Sequence, residues 1–334
     1  MKKKYGLGII TDLSDINVEE QRNNFSEPKT KVSEKKGIII TNEPKNLLKP
    51  ENIFDALHLE KRKCLTITIE ESQKEPILIK KFLKKNASMH ITIIAKENTN
   101  SIVFLELKGK ARFASIFIEI IAEENSGVNY YEINEIEDAF IYSRRLSITE
   151  KNSKINFLVS DSKSKQVLSQ TKALLKGENS KANLYEFYYG SKSRMDLYQE
   201  AEHAAKNTTS DIKSKGILID AEAYNRGLIK INANAENSNG FEKSDTLLLG
   251  EARAVSIPDL LIHNDKVKCS HGSTISRLDE NKLFYMRSRG ISEKQARLEL
   301  IEGFYEQTLK EIANTELMPR ILGSILEKVR EDVQ

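Results

Sequence analysis

The segment of the sequence best suited to chemistry is 267–272, in which Cys269 and His271 stand two residues apart. If this segment is a strand, the two side chains project from the same face, because successive side chains of a strand alternate. A thiolate beside an imidazole suits iron or copper, and it suits zinc less well. Taken alone, so short a pattern favours a plainer interpretation, a buried small cysteine and a histidine at a strand end. If Cys269 and His271 do bind a metal, they supply only half of the ligands that the site needs.

Other catalytic motifs are missing from the sequence. It contains no phosphate-binding P-loop, no G-x-G-x-x-G, no G-x-S-x-G, no H-E-x-x-H and no C-x-x-C. Asp211, Asp220, Asp245 and Asp259 fall near the ends of predicted strands, where sugar enzymes built as β-solenoids keep their acids. Their spacing selects no acid–base pair. A carbohydrate-active β-helix enzyme therefore stays an alternative without a defined site.

Composition excludes several classes of protein. The chain has 334 residues with 52 Lys and Arg against 49 Asp and Glu, so its net charge of +3 is too small for a whole-chain nucleic-acid binder. No uninterrupted apolar run reaches the roughly 18 residues of a membrane helix. Two cysteines, Cys64 and Cys269, cannot build a disulfide framework or a closed four-cysteine metal site. We therefore expect a reduced, cytoplasmic protein that uses neither nucleic acid nor membrane as a partner.

Residues 61–277 are predicted to form a long series of short strands. Leu65, Ile67 and Ile69 alternate with polar residues, and similar apolar runs recur roughly every dozen residues with turn-forming clusters between them. Spacing alone allows a sandwich, a barrel, two stacked sandwiches or a β-solenoid. The length of the series without a clear Greek-key break favours the solenoid.

The two ends of the chain differ from this core. Residues 1–60 are predicted to be a polar arm with a short helix, for which Asn52 is the available N-cap. Residues 278–334 turn helical, with Gly290 after a first helix and a capping box formed by Ser292 and Gln295 before a second. Pro319 suits the first turn of a last helix. These C-terminal helices could cap the solenoid or form a docking surface for a partner.

Residues 244–302 contain a long combined motif. It includes SDTLLLG, DKVKCSHG and LFYMRSRGIS, and the segment from His203 to Ser210 with KGIL at 215–218 precedes it. These strings closely resemble the C-terminal core of the SufB/SufD family, the scaffold subunits of the SUF system for iron–sulfur cluster assembly. The resemblance implies a right-handed parallel β-helix with helical N- and C-terminal regions. It also implies a non-catalytic scaffold that pairs with a second SufB/SufD-type chain and binds the ABC-type ATPase SufC, which hydrolyses the ATP.

Two positions distinguish the SufB-like and SufD-like branches of the family. SufB-like chains carry a cysteine before the Asp of the F-x-x-C-D segment, whereas this chain has Ser244 before Asp245. SufB-like chains also carry Glu at the position of His271. The resemblance therefore predicts a SufD-like subunit with Ser244, Asp245 and His271 at the subunit interface, beside a SufB-like partner. A SufB-like homodimeric scaffold is the alternative.

The same resemblance implies site residues. His271, with Cys269 as a second candidate, would be a ligand of a transient iron–sulfur cluster at the subunit interface, and this chain alone would bind no cofactor. The ATPase would dock on the C-terminal helical region. The residues expected there are Leu283, Phe284, Tyr285, Arg287, Arg289, Leu300 and Phe304.

Overall fold

The computed structural model describes residues 31–33, 35–43, 47–51, 55, 58–59, 64–84, 86–312 and 318–332. Most of the predicted N-terminal arm lies outside these residues. So does Asn52, the predicted N-cap of the short helix.

Strands occupy the chain from Lys31 to Arg277, and three helices follow. The strands are β1 (Lys31–Val32), β2 (Ile38–Thr41), β3 (Cys64–Ile69), β4 (Ile77–Leu83), β5 (Ala87–Ala95), β6 (Asn100–Lys110), β7 (Phe113–Ala122), β8 (Gly127–Glu137), β9 (Phe140–Thr149), β10 (Lys154–Asp161), β11 (Gln166–Leu175), β12 (Lys181–Ser191), β13 (Arg194–His203), β14 (Thr209–Ile219), β15 (Glu222–Ile231), β16 (Asn239–Leu249), β17 (Arg253–Ile262) and β18 (Lys268–Arg277). The helices are α1 (Glu280–Ser288), α2 (Glu293–Ile312) and α3 (Met318–Asp332).

The strands form two nine-stranded sheets. The even sheet contains β1 and the even-numbered strands from β4 to β18, and the odd sheet contains β2 and the odd-numbered strands from β3 to β17. From β3 onward each strand pairs in parallel with the strand two places later, as Glu242 of β16 pairs with His271 of β18. The sixteen strands β3–β18, two to a coil, make eight coils. The predicted mainly β class and parallel β-solenoid are confirmed.

A ladder of asparagines turns the chain from one sheet to the other. Asn125, Asn152 and Asn179 have φ angles of 57°, 56° and 60°, a left-handed conformation that asparagine tolerates better than most residues. The Asn152 side-chain amide donates to Asn125 Oδ1 at 2.9 Å, and that of Asn179 donates to Asn152 Oδ1 at 3.0 Å. The bonded asparagines are 27 residues apart, which is the length of one coil in this part of the solenoid.

Side chains that point between the two sheets form the core. In the early coils they are aliphatic, and Ile93, Leu105 and Ile118 are fully buried there. In the middle coils the interior becomes polar, because Arg145 makes a bidentate ion pair with Glu132 at 2.5 and 2.9 Å. Burial alone would raise the pKa of Glu132, but the Arg145 guanidinium outweighs burial and holds that pKa below its usual value. The middle of the solenoid thus holds a compensated buried charge pair.

The C-terminal helices cover the outer face of the even sheet. Buried side chains of α2 and α3, among them Tyr305 and Ile325, share one apolar cluster with Phe187 and Leu247 of that sheet. Local signals fix where the helices begin. Asp279 caps α1 by accepting from the Asn281 and Lys282 amides.

The predicted capping box at the start of α2 forms only in part. Ser292 Oγ accepts from the Gln295 amide at 3.2 Å, which is the first half of the box. The Gln295 side chain donates to Glu299 at 3.1 Å and does not return to Ser292. The helix therefore begins where the sequence indicates, with one of the two capping bonds.

An N-terminal segment, of which residues 47–51, 55 and 58–59 are described, covers part of the outer face of the odd sheet. Buried Asp55 accepts from Arg144 Nη1 and from the Tyr142 hydroxyl, the latter at 2.7 Å. The Leu48 amide donates to Glu119 Oε1 at 2.7 Å. Polar bonds therefore hold this segment against β7 and β9.

Candidate functional site

The last coil of the solenoid leaves two strand edges open. β17 pairs with β15 and β18 pairs with β16, and within the described ranges no strand pairs with the other edge of either. Large apolar side chains gather at this end with about two fifths of their surface exposed, namely Val255, Ile257, Leu261, Ile262 and Ile275. Unpaired backbone groups beside apolar side chains are what an added strand from another chain needs. We call this surface the open end.

His271 lies on the open end. Its register partner Glu242 is buried in the coil beneath, whereas His271 itself is exposed because β18 belongs to the last coil. The imidazole is therefore accessible to a second molecule at the tip of the solenoid. Within the described part of the chain no group of three or more His, Cys, Asp or Glu side chains could hold a metal ion. A metal site that included His271 would therefore need donors from outside the described residues.

Cys269 shares a face of β18 with His271 but has a different environment. Its side chain is half-buried and packs against the main apolar core. Burial raises the pKa of the Cys269 thiol, and a backbone hydrogen bond from Gly240 opposes that shift. The thiol is therefore mostly protonated at neutral pH, which weakens it as a metal ligand. These contacts fit Cys269 better as a packing residue.

Ser244 and Asp245 lie in β16, one coil below β18. Ser244 is buried and its hydroxyl accepts from the Asn225 side-chain amide at 2.8 Å. Asp245 points the other way and lies 3.3 Å from Lys243 and 3.8 Å from Lys215. Of the three residues predicted at the subunit interface, the structure exposes His271 and encloses Ser244. Of the two positions that the resemblance uses to distinguish the branches, Ser244 is inside the solenoid and His271 is on its surface.

The predicted docking residues of α1 divide between core and surface. Leu283 is 2% exposed and packs in the cluster beneath the helices, so it contributes to the chain's own core. Phe284 is 73% exposed and Tyr285 is 58% exposed. The Arg289 guanidinium lies 5.2 Å from the centre of the Tyr285 ring, and Arg287 pairs with Glu293 at 3.2 Å. α1 therefore presents two adjacent aromatic rings with arginines beside them.

The other two predicted docking residues belong to α2. Leu300 and Phe304 are half-buried at the margin of the cluster between the helices and the even sheet. The Lys215 ammonium lies 4.4 Å from the centre of the Phe304 ring. Both residues therefore belong to the contact between helix and solenoid, with part of their surface outside it.

The four carboxylates considered for sugar chemistry are each engaged in a separate contact. Asp211 accepts from the Tyr185 hydroxyl at 2.9 Å, and Asp259 pairs with Arg226 at 2.7 Å. Asp220 accepts from the Glu251 amide at 2.8 Å within a turn, and Asp245 faces lysines. These contacts give structural roles to the four acids. No observation favours the carbohydrate-active alternative.

The sequence does not predict the buried polar contacts between α2 and the solenoid. The Tyr305 hydroxyl donates to the Tyr188 carbonyl at 2.5 Å, and Lys215 donates to Thr308 Oγ1 at 2.8 Å. Their partners are 117 and 93 residues apart in the chain. Nothing in the local sequence pairs residues at such separations, so only the folded chain reveals these contacts.

Comparison with known proteins shows the family of the chain. The family model for the SUF system FeS cluster assembly SufBD core domain matches residues 79–304. The chain therefore belongs to the SufB/SufD family of iron–sulfur cluster assembly proteins, as its C-terminal motifs indicate.

Curated relatives carry the same description. An iron-sulfur cluster assembly SufBD family protein of Synechocystis is 29% identical over 239 residues, which cover 66% of this chain and 50% of that protein. One from Staphylococcus saprophyticus is 28% identical over 202 residues, which cover 59% of this chain and 43% of that protein. The chain thus spans about half the length of these relatives. In the described part of the chain, no helix is both long enough and apolar enough to cross a membrane.

Proposed function

We propose that this chain is a SufD-like scaffold subunit that pairs with a SufB-like chain, binds a SufC-type ATPase and supplies His271 to a cluster assembled between the two scaffold chains. The observation that carries the proposal is the exposure of His271 on the open end. Ser244 in place of cysteine supports the SufD-like assignment. The two cysteines are free thiols, which suits work in the reduced cytoplasm.

A single imidazole suits a transient cluster. A scaffold must bind iron strongly enough for assembly and weakly enough for release. Neutral imidazole binds a metal through its one unprotonated ring nitrogen and brings no charge, and thiolates are the usual ligands of iron–sulfur clusters. His271 at the open end would add one neutral donor to thiolates that the partner chain supplies. The cluster is the cargo of the complex, and the chain has no resident cofactor in this proposal.

The open end supports pairing with another scaffold chain. Strand edges of β17 and β18 remain available for hydrogen bonds, and the apolar side chains around them are only partly covered. A second solenoid of the same family would present edges of the same kind. Pairing through these edges would cover the apolar surface and enclose His271 between the two chains.

The α1 helix supports docking of the ATPase. Phe284 and Tyr285 are large, adjacent and exposed, and aromatic and arginine residues dominate the energetics of many interfaces. The helix is followed in the chain by α2, which packs on the even sheet. A partner bound to α1 could therefore act on the solenoid while it hydrolyses ATP at its own site. In this proposal the scaffold chain itself catalyses nothing.

Substitution of the ligand tests the cluster role. His271→Ala in the complete complex of scaffold chains and ATPase should reduce reconstituted cluster per complex at least about tenfold, since losing one ligand of a shared site weakens binding strongly. Complex formation should persist. His263→Ala is the matched control, because His263 is also exposed and lies near the same end of the solenoid. Normal cluster content in His271→Ala would contradict the proposed ligand.

Substitution on α1 tests the docking surface. Tyr285→Asp should weaken ATPase binding about tenfold or more, because it places a charge in an apolar contact. Tyr224→Asp, at another exposed tyrosine on the odd sheet, is the control and should leave ATPase affinity unchanged. Isothermal titration with the purified ATPase measures both. Equal affinities for wild type and Tyr285→Asp would mean that the ATPase docks elsewhere.

A further inference from the structure

Helix α2 is bound to the solenoid by a buried chain of two hydrogen bonds. Tyr305 of α2 is fully buried, and its hydroxyl donates to the carbonyl of Tyr188 in β12 at 2.5 Å. The Tyr188 side chain points into the solenoid, where its hydroxyl hydrogen-bonds Thr246 Oγ1 of β16 at 2.7 Å. The chain of contacts therefore runs from α2 through β12 to β16.

The intermediate strand makes room for this chain of contacts. β14 lies between β12 and β16, and it carries Gly216 at the position opposite Tyr188. A Cβ at Gly216 would lie 1.9 Å from the Tyr188 ring, so any larger residue would displace the ring. Glycine at this position lets Tyr188 cross β14 and reach Thr246.

A second contact runs along the outside of the same strands. Lys215 of β14 donates to Thr308 Oγ1 of α2 at 2.8 Å, and its ammonium lies 3.8 Å from Asp245 Oδ2 of β16. The Lys215 side chain is only 6% exposed. This contact also starts on α2 and ends on β16, at the residue next to Thr246.

Both contacts end beside the strand that carries His271. In the register of β16 and β18, Asp245 lies opposite Thr274 and Thr246 lies opposite Ile275. The other long helix is attached elsewhere, since Asp332 of α3 accepts from the Tyr189 hydroxyl at 3.0 Å in β12. Among the described helices, only α2 has polar contacts of this kind that lead to β16.

We infer that Tyr305 and Lys215 are positioning residues that transmit the position of α2 to β16, and through β16 to the strand that presents His271. Apolar packing alone is non-directional and would let the helix shift along the sheet. Buried hydrogen bonds resist such a shift, because breaking one leaves a polar group unsatisfied. The role in cluster assembly rests on the proposed function, whereas the mechanical connection does not.

Cys269 provides a readout within the same chain. Its thiol is half-buried on β18, whereas Cys64 is buried in the first coils. Cys269 in the full chain can be labelled with 5,5′-dithiobis(2-nitrobenzoate). The labelling rate reports how firmly β18 of the last coil is held against β16. Tyr305→Phe should raise this rate about five- to tenfold, the factor expected from one lost hydrogen bond. Lys215→Met should raise it by a similar factor.

Tyr189→Phe is the matched control. It removes one buried phenol hydrogen bond from the same strand, but to α3 instead of α2. It should leave the Cys269 labelling rate within about twofold of wild type while lowering thermal stability as much as Tyr305→Phe does. Equal labelling rates in Tyr189→Phe and Tyr305→Phe would overturn the inference, because the effect would then be general destabilisation.

A double variant tests whether the contacts act in series. Tyr188→Phe breaks the second bond of the chain that Tyr305→Phe breaks at its start. The double variant should label no faster than the faster single variant, because either cut interrupts the same connection. A rate equal to the product of the two single effects would contradict a serial connection.

The complex with the ATPase separates this inference from the proposed function. With a non-hydrolysable ATP analogue, wild-type complex should change its Cys269 labelling rate, and Tyr305→Phe should bind the ATPase normally but lose that change. If the ATPase does not bind the wild-type chain, the proposed docking is wrong. The labelling rates of the variants in the chain alone would still test whether α2 positions β16. If the ATPase binds normally and Tyr305→Phe keeps the nucleotide-dependent change in Cys269 labelling rate, the inference is wrong. It is also wrong if the ATPase binds and the wild-type complex shows no such change.

Discussion

The two ends of the solenoid differ in how their strand edges are treated. At the first coil, β2 runs antiparallel along β3 with Ile38 opposite Ile69, and β1 runs antiparallel along β4. At the last coil, the described residues place no strand along the free edges of β17 and β18. Exposed strand edges promote association, and proteins usually cover those that have no partner. The difference supports the proposal that a partner chain binds at the last coil.

An ion pair of the middle coils and an ion pair beside the open end also differ in burial. In the middle coils the ion pair of Arg145 and Glu132 is almost completely buried. Next to the last coil the pair of Arg226 and Asp259 lies on the outer face, with each side chain more than a third exposed. The first pair lies between the two sheets, and the second lies on the outside of the odd sheet, where solvent reaches both side chains.

The largest effect is expected when the enclosed pair is broken. Arg145→Leu leaves Glu132 buried without its cation, and such a loss costs about 3–5 kcal/mol in the free energy of unfolding. Arg226→Leu is the matched change near the open end, and it should cost less than about 1 kcal/mol because solvent screens that pair. Urea denaturation of both variants measures the difference. Similar costs would mean that the middle coils are not as enclosed as the structure indicates.

The next effect concerns association. Ile257 at the open end and Ile40 at the first coil are both 39% exposed, so they form a matched pair. Ile257→Glu should weaken pairing with a SufB-like chain, or with a second copy, about a hundredfold or more, since it places a charge in an apolar interface. Ile40→Glu should change the dissociation constant by less than about threefold. Analytical ultracentrifugation distinguishes the ends, and reversed effects would assign the interface to the first coil.

A smaller effect depends on pH. Burial raises the pKa of Asp161, in the interior of the middle coils, to about 7. Because this folded-state pKa lies above the ordinary value, the protonated acid's contribution to stability is complete below about pH 4 and is lost as pH rises to about 7. Asp161→Asn keeps an uncharged group there. Its stability relative to wild type should therefore increase by about 2 kcal/mol between pH 5 and pH 7.5.

Denaturation curves of the two proteins over this pH range provide the check. Contributions of other ionisable groups cancel in the difference between variant and wild type when those groups are unaffected by the substitution. Parallel stability curves across the range would show that Asp161 is ionised at neutral pH, and that the middle coils admit more water than the structure indicates.

The smallest effect concerns the asparagine ladder. Asn152 makes ladder bonds to both neighbouring coils. Asn237, in the turn before β16, has the same backbone conformation with a φ of 59°, but among the described residues it makes no side-chain bond to another asparagine. Asn152→Gly keeps the conformation and removes the bonds, so it should lower stability by about 1 kcal/mol. Asn237→Gly should be nearly neutral. Thermal melts of both variants decide whether the ladder or the φ angle alone matters.

The sequence predicted the class of fold and much of the strand series, but it missed several strands. The alternation of apolar residues does not identify β9 and β13, because these strands place polar residues such as Arg145 and Gln199 in the interior. Such residues are buried only because neighbouring coils supply partners, as Glu132 does for Arg145. Apolar alternation cannot reveal strands of this kind. The recurring Asn-Ser and Asn-Thr turns at positions such as 125 and 152 were a periodic signal that would have revealed the coils.

The sequence by itself determined the family, through the motifs around Cys269 and His271, and the helix boundary at Ser292. These features depend on residues close together in the chain. Only the tertiary structure decided that His271 is exposed while Ser244 is enclosed, and that Tyr305 reaches Tyr188. Exposure and long-range contacts depend on which coil covers a strand and on the register between strands, and that register is set by the stacking of residues far apart in sequence.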